Sequence, residues 1–187
     1  LHGMLTRLGV ELLDLGVIRD DRDAIRTAFH EAAANADVVI TSGGVSVGEA
    51  DFVKQTLDEL GQVDFWKIAM RPGKPLLYGR LGNQRVLGVP GNPVAALICG
   101  LVFLVPMLHR LLGLREHGRE PQEAVLGQAL EANGPREHYM RATSTWRSGG
   151  ERLVIPLAAQ DSALMADFTR ADCLIVRPPD APALAEG

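Results

Sequence analysis

Apolar residues at positions 1, 4, 5 and 8 fall on one helical face, and Gly9 closes it. Val10 to Leu15 then reads as a strand. After the polar run Arg19-Asp20-Asp21-Arg22-Asp23, the residues Ile25, Phe29, Ala32 and Ala36 recur at helical spacing. Asp20 with Asp23 three residues on has the form of an N-cap arrangement, and acids suit the positive end of a helix. Val38-Val39-Ile40 is a short buried strand. Phe52, Val53, Leu57 and Leu60 give another helix, ended by Gly61, and Val63 to Met70 alternates enough for a strand. Leu76 to Tyr78 and Arg85 to Val89 read as a hairpin around Leu81-Gly82-Asn83-Gln84. Asn92 as N-cap with Pro93 at the first helical position then opens a long apolar helix.

Beyond residue 113 the pattern changes. Gly113 to Pro121 is polar and reads as a linker. Ala124 to Leu130, Tyr139 to Trp146, Arg152 to Leu157 and Cys173 to Arg177 look like short strands, punctuated by Gly134-Pro135, Ser148-Gly149-Gly150 and Pro178-Pro179. This predicts a small β domain, a sandwich or a barrel. Gln160 to Asp172 interrupts it as an irregular or briefly helical loop carrying Ser162.

Composition narrows the classes of function. A net charge of −4, with no basic run interleaved with aromatics, argues against nucleic-acid binding. The apolar run Val94 to Leu108 has 15 residues and contains Pro106, short of the ~20 a bilayer needs, and reads as a helix inside a domain. Cys99 and Cys173 lie in or beside apolar runs and read as buried free thiols. The five histidines are scattered without ligand spacing.

The candidate chemistry sits in three stretches. After the strand 38–40 comes Thr41-Ser42-Gly43-Gly44-Val45-Ser46-Val47-Gly48-Glu49-Ala50-Asp51. Its glycines leave backbone N–H groups unobstructed, and with the hydroxyls and a following helix they suit a phosphate oxygen, although a plain tight turn has the same look. Glu49 and Asp51 can share such a site only with a cation or basic side chain between; as first-turn acids they would simply complement the helix dipole. Pro90-Gly91-Asn92-Pro93 forms a second strand-to-helix turn, and in an open α/β sheet two such turns can lie on one ligand-binding edge. Lys67, Arg71 and Lys74 place three cations within eight residues around Arg71-Pro72-Gly73-Lys74-Pro75, where a solvated basic loop is the plain alternative.

Together, in this order, Ser42 to Asp51, Arg71 to Pro75 and Pro90 to Pro93 resemble the molybdopterin molybdenumtransferases, the family of MoeA and the gephyrin E domain. The resemblance runs from about residue 1 to the end and is densest through residue 112. It implies a three-layer, molybdenum-cofactor-binding α/β domain over 1–113 with an incomplete N-terminus. A C-terminal β-barrel domain over 114–187, lacking its last strand, would follow. It further implies that the chain is a fragment of a longer, dimeric, cytoplasmic protein. The family inserts molybdate into adenylylated molybdopterin with release of AMP, using Mg²⁺. By position, Asp20 and Asp51 match functional acids of the family and would hold Mg²⁺. Lys67, Arg71 and Lys74 would offset and orient oxyanions, Arg71 standing where the family commonly has Lys. Ser42, Gly43, Gly44, Ser46 and Gly48, with Pro90, Gly91, Asn92 and Pro93, would bind the pterin substrate, and Ser162 matches a barrel-loop residue facing the family's pocket. The implied partners are the pterin, a second copy of the full-length protein and the pathway's adenylyltransferase, with neither nucleic acid nor membrane. Two other readings stand beside it: an adenylyltransferase-like enzyme, against which the β domain and the Arg-Pro-Gly-Lys-Pro turn speak, and a non-catalytic pterin-binding or scaffold module. The 187 residues alone are expected to turn over poorly.

Overall fold

The computed structural model describes residues 1–45, 52–115, 120–161 and 165–187, the last range without the side chains of residues 166 and 167. The chain divides into two compact units, Leu1–Ile68 with Gly73–Gly118, and Ala69–Pro72 with Arg119–Gly187.

The first unit is built on four strands, β1 (Val38–Ser42), β2 (Gln62–Trp66), β4 (Leu77–Leu81) and β5 (Gln84–Val89). Their order is β1-β5-β4-β2, with β1 parallel to β5 and the remaining pairs antiparallel. Alternation along each strand sends neighbouring side chains to opposite faces. Val39 and Val86 join Leu77 and Leu81 against α2 (Arg22–Asn35) and α3 (Phe52–Leu60), where Ile25, Phe29, Val53 and Leu57 complete one core. Leu87 and Val89 face the other way, onto Leu5 of α1 (His2–Leu5) and onto Ala96, Cys99, Leu104 and Leu108 of the long helix. Helices therefore cover both faces. Each fully buried Leu or Val here contributes about 1.5–3 kcal/mol of transfer free energy.

Three local expectations change. The stretch Val10 to Leu15 joins no ladder among the described residues: Val10 and Leu12 pack on the second core and Leu15 on the first, while Leu13 stays exposed, so packing rather than pairing accounts for the apolar pattern. The cap of α2 is Asp21, whose carboxylate accepts the Ala24 N–H at 2.9 Å, leaving Asp20 one residue outside the helix cap. The apolar helix is longer than its apolar run, a continuous 19 residues from Pro93 to Leu111. Asn92 caps it through the Ala95 N–H at 3.5 Å. It runs as α4 (Pro93–Cys99), a widened π turn (Gly100–Leu104) and α5 (Val105–Leu111). Pro106 sits in the first turn of α5, after the widened turn, where its missing N–H is tolerated. By length and composition alone this helix could cross a membrane; here Val94, Ile98, Cys99 and Leu104 are fully buried, with Leu101 and Leu111 exposed.

The second unit holds β3 (Met70–Arg71), β6 (Val125–Leu126), β7 (Glu137–Trp146), β8 (Arg152–Pro156), β9 (Cys173–Arg177) and a short helix α6 (Met165–Arg170). The ten-residue β7 organises it, pairing with β3 at its start, with β9 along its middle and with β8 toward its end. The order β3-β7-β8-β6, with β9 on β7, is an open sheet, and no continuous ladder closes it into a barrel among the described residues. The tail does reach back: Leu130 and Leu184 bridge, and the Gly187 N–H donates to Leu126 at 3.0 Å. Of the two thiols, Cys99 is buried and its pKa is pushed up to about 12 by desolvation, whereas Cys173 is only half-buried.

Candidate functional site

The parallel pairing of β1 with β5 decides where the candidate turns lie. Ser42 stands opposite Val89, so the two strands end together, and the Gly43 N–H donates to the Val89 carbonyl at 3.0 Å. The following turns pass back to back: a Cβ added at Gly91 would lie 3.4 Å from the Gly43 Cα. Gly44 has a φ of +68°, and a side chain there would drive into Val53. Gly88, under the turn, leaves room for Val45 and for the Thr41 hydroxyl, which is buried and has no hydrogen-bond partner among the described residues. At Gly44 and Gly88 an added Cβ would therefore run into packed side chains, whereas at Gly91 it would meet Gly43 only at van der Waals distance.

A third turn belongs to the same unit. Lys67 follows β2 with a φ of +69°, a left-handed conformation unusual for a side chain that is not glycine. Two backbone bonds hold it, Lys67 N–H to Leu76 at 3.0 Å and Ile68 N–H to Lys74 at 2.9 Å. Lys67 and Lys74 are therefore brought to one closed loop, both exposed. The Lys67 ammonium lies 3.8 Å from the Trp66 ring centroid, and Lys54 of α3 lies 5.5 Å from the same ring. The Trp66 indole donates to the Val45 carbonyl at 3.2 Å. Trp66 and Lys54 are thus further members of this cluster. Trp66 was legible only as a neighbour of Lys67, and nothing in the chain's spacing pointed to Lys54.

Not every expected residue joins this cluster. Asp20 is exposed and has no hydrogen bond or ion pair with another candidate among the described residues. Ser46, Gly48, Glu49, Asp51 and Ser162 lie outside the described residues. Arg71 belongs to the second unit, where β3 sets it opposite His138 of β7. There, burial and then the charges of Arg71, Arg136, Arg177 and Arg141 push the His138 pKa from 6.5 down to about 4, so this imidazole is neutral at pH 7. Arg141 is fully buried on β7. Its guanidinium donates to the Ala159 and Asp161 carbonyls at 3.0 and 2.9 Å, while the Gln160 carboxamide bonds the Arg141 backbone N–H and C=O at 2.9 Å each. This clasp orders the loop that leads to residue 162. No groups of three or more His, Cys, Asp or Glu side chains able to hold a metal occur among the described residues.

Residues 1–110 match the family model described as a probable molybdopterin binding domain, and residues 123–187 match the MoeA C-terminal region, domain IV. The chain belongs to this molybdopterin-binding family. It is 39% identical over 174 residues to the molybdopterin molybdenumtransferase of Haemophilus influenzae, covering 92% of this chain and 43% of that one. It is 37% identical over 146 residues to the molybdopterin molybdenumtransferase of a Nostoc species, covering 75% and 33%. The molybdopterin biosynthesis MoeA protein from Pyrococcus horikosii superposes with a TM-score of 0.78 at 30% identity, over 99% of this chain and 44% of that one. The chain spans less than half the length of each of these relatives.

Proposed function

We propose that this chain is the pterin-handling part of a molybdenumtransferase that acts in molybdenum cofactor biosynthesis, inserting molybdate into adenylylated molybdopterin with release of AMP. The observation that carries this reading is the meeting of two strand-to-helix turns, Gly43 against Gly91, at one end of a parallel strand pair. Such an edge offers backbone N–H groups and helix N-termini to a phosphate. The Lys67–Lys74 loop adds point charges. Molybdate and the pyrophosphate linkage of the substrate are both anionic, so these lysines would offset charge and orient oxygens as the bond to AMP breaks. Arg71 belongs to the β unit, and its assignment rests on the family resemblance alone.

Mg²⁺ is part of the same proposal. It binds through one or two carboxylates, completing its shell with water and substrate phosphates, so a pair of acids is a chemically sufficient protein contribution. Asp20 is exposed and free for that role, and Asp51 is its proposed companion. When bound, the ion would draw charge from the phosphate oxygens. Weaker pyrophosphate binding in the presence of Mg²⁺ by Asp20→Asn, with no change when Mg²⁺ is removed, is the expected titration result.

For the β unit we propose the family's barrel, supported by the Leu130–Leu184 bridge and the Gly187 to Leu126 bond. The division into a pterin-binding domain over 1–113 and a barrel domain over 114–187, the homodimer, the cytoplasmic setting and an adenylyltransferase partner are proposed on the family alone.

The test is AMP release from adenylylated molybdopterin by the full-length protein. Lys67→Ala is expected to slow release by about a hundredfold. Asp51→Asn should abolish release while leaving pterin binding largely in place. Wild-type rates in both variants would overturn the transferase reading and leave a binding module.

A further inference from the structure

We propose that Trp66 is a positioning residue of the anion site, seating Lys67 beside the Gly43–Val45 turn; this rests on the reading that the turn binds a phosphate. Neighbours along a strand point to opposite faces. The left-handed backbone of Lys67 breaks that alternation, and its ammonium lies on the ring of the preceding residue, 3.8 Å from the centroid. The same ring is tied by its N–H to the Val45 carbonyl at 3.2 Å, and Val45 is itself 1% exposed and part of the core. One indole therefore links a lysine, a glycine turn and, through Lys54 at 5.5 Å, the first turns of α3.

The arrangement has a consequence for binding. A free lysine loses rotamer freedom when it grips an anion, whereas one already seated on an aromatic face loses less. The ring carries no net charge, so it does not neutralise the ammonium as a carboxylate partner would. Trp66 thus preorganises Lys67 and leaves its positive charge available to an oxyanion. The Val45 bond satisfies the indole N–H, as a part-buried tryptophan requires; the lysine ammonium on its face is what goes beyond packing.

The experiment is a double-mutant cycle read by titrating inorganic pyrophosphate into this chain. Trp66→Leu is expected to weaken binding about three- to tenfold, the worth of a partly desolvated cation–π contact. On a Lys67→Ala background the same change should cost less than about twofold, because Trp66 then has no lysine to seat. Equal losses on both backgrounds would overturn the proposal and make Trp66 a packing residue. Trp66→Met, which keeps a long apolar side chain but has no ring, gives the same cycle should the leucine variant fail to fold. A second readout uses Trp146→Phe, which leaves Trp66 as the one indole of two. Pyrophosphate should shift the Trp66 emission with Lys67 present and not in Lys67→Ala; an emission indifferent to saturating pyrophosphate would overturn the proposal. Absence of pyrophosphate binding by the wild type would remove the anion site itself and the inference with it. Binding that Trp66→Leu leaves intact would remove the inference alone.

Discussion

Two clusters of positive charge occupy this molecule, and they are built in opposite ways. In the α/β unit Lys67 and Lys74 are exposed, held by backbone bonds, with Lys67 resting on an aromatic face. In the β unit Arg141 and Arg177 are buried at 1% and 3% exposure, and their terminal nitrogens donate to loop carbonyls, those of Arg177 to Ala181 and Pro182. The Arg177 Nε has no hydrogen-bond partner among the described residues. A buried cation must be matched by acceptors or its desolvation is uncompensated, so those arginines serve as pins. An exposed cation on a ring keeps its charge for a ligand. Formal charge therefore says little about role until burial and partners are known.

The largest expected effect breaks the pinned cluster. Arg141→Met removes the donors of the Ala159 and Asp161 carbonyls and is expected to cost about 3 kcal/mol or more, read as a lowered urea midpoint. The corresponding Lys74→Ala change in the exposed cluster should leave that midpoint nearly unmoved; a comparable loss there would erase the contrast. Next comes the scaffold of the ligand edge. In Gly88→Ala the new Cβ would fall 2.5 Å from Val45 and 3.2 Å from Leu77, and the overpacking should cost about 1–3 kcal/mol, read by thermal melting.

His138 sharpens the comparison through pH. Its folded pKa of about 4 lies below the ordinary 6.5, so the unfolded chain binds the proton first. The stability held by the neutral imidazole is complete above about 6.5 and is lost as pH falls toward about 4. Between pH 7 and pH 5 that loss should be about 1–2 kcal/mol, and His138→Gln should flatten the slope. An unchanged slope would mean that neither burial nor the surrounding arginines hold this histidine's pKa down. The smallest effect concerns the acids before α2. Asp21→Ala should cost about 1 kcal/mol as a lost cap, whereas Asp20→Ala should be close to neutral for stability. Equal losses would return Asp20 to a purely structural role.

Most of the architecture was legible in the chain. A continuous apolar run marked β1, the hairpin around Gly82 marked β5, turn residues on either side marked β7, helical spacing marked α2 and α3, and Asn92-Pro93 marked the start of the long helix. The errors were local and had physical causes. Val10 to Leu15 carries the apolar residues of a strand, but a strand also needs a ladder partner, which lies elsewhere in the chain. Asp20 and Asp21 are both suitable caps by type, and only backbone geometry selects Asp21. The clasp of Arg141 on residues 159–161 left no trace in spacing, because an arginine in a strand reads as an exposed residue.

By itself the sequence determined what is short-range: which segments become strands or helices, and which motifs tie the chain to its family. Contacts between distant residues were decided by the tertiary structure alone. The parallel register of β1 on β5 sets Gly43 against Gly91, and the Trp66 indole reaches back to the Val45 carbonyl. Local propensity acts over a few residues, whereas strand pairing and burial act across the fold, and it is burial that separates a cation able to meet a ligand from one that holds a loop.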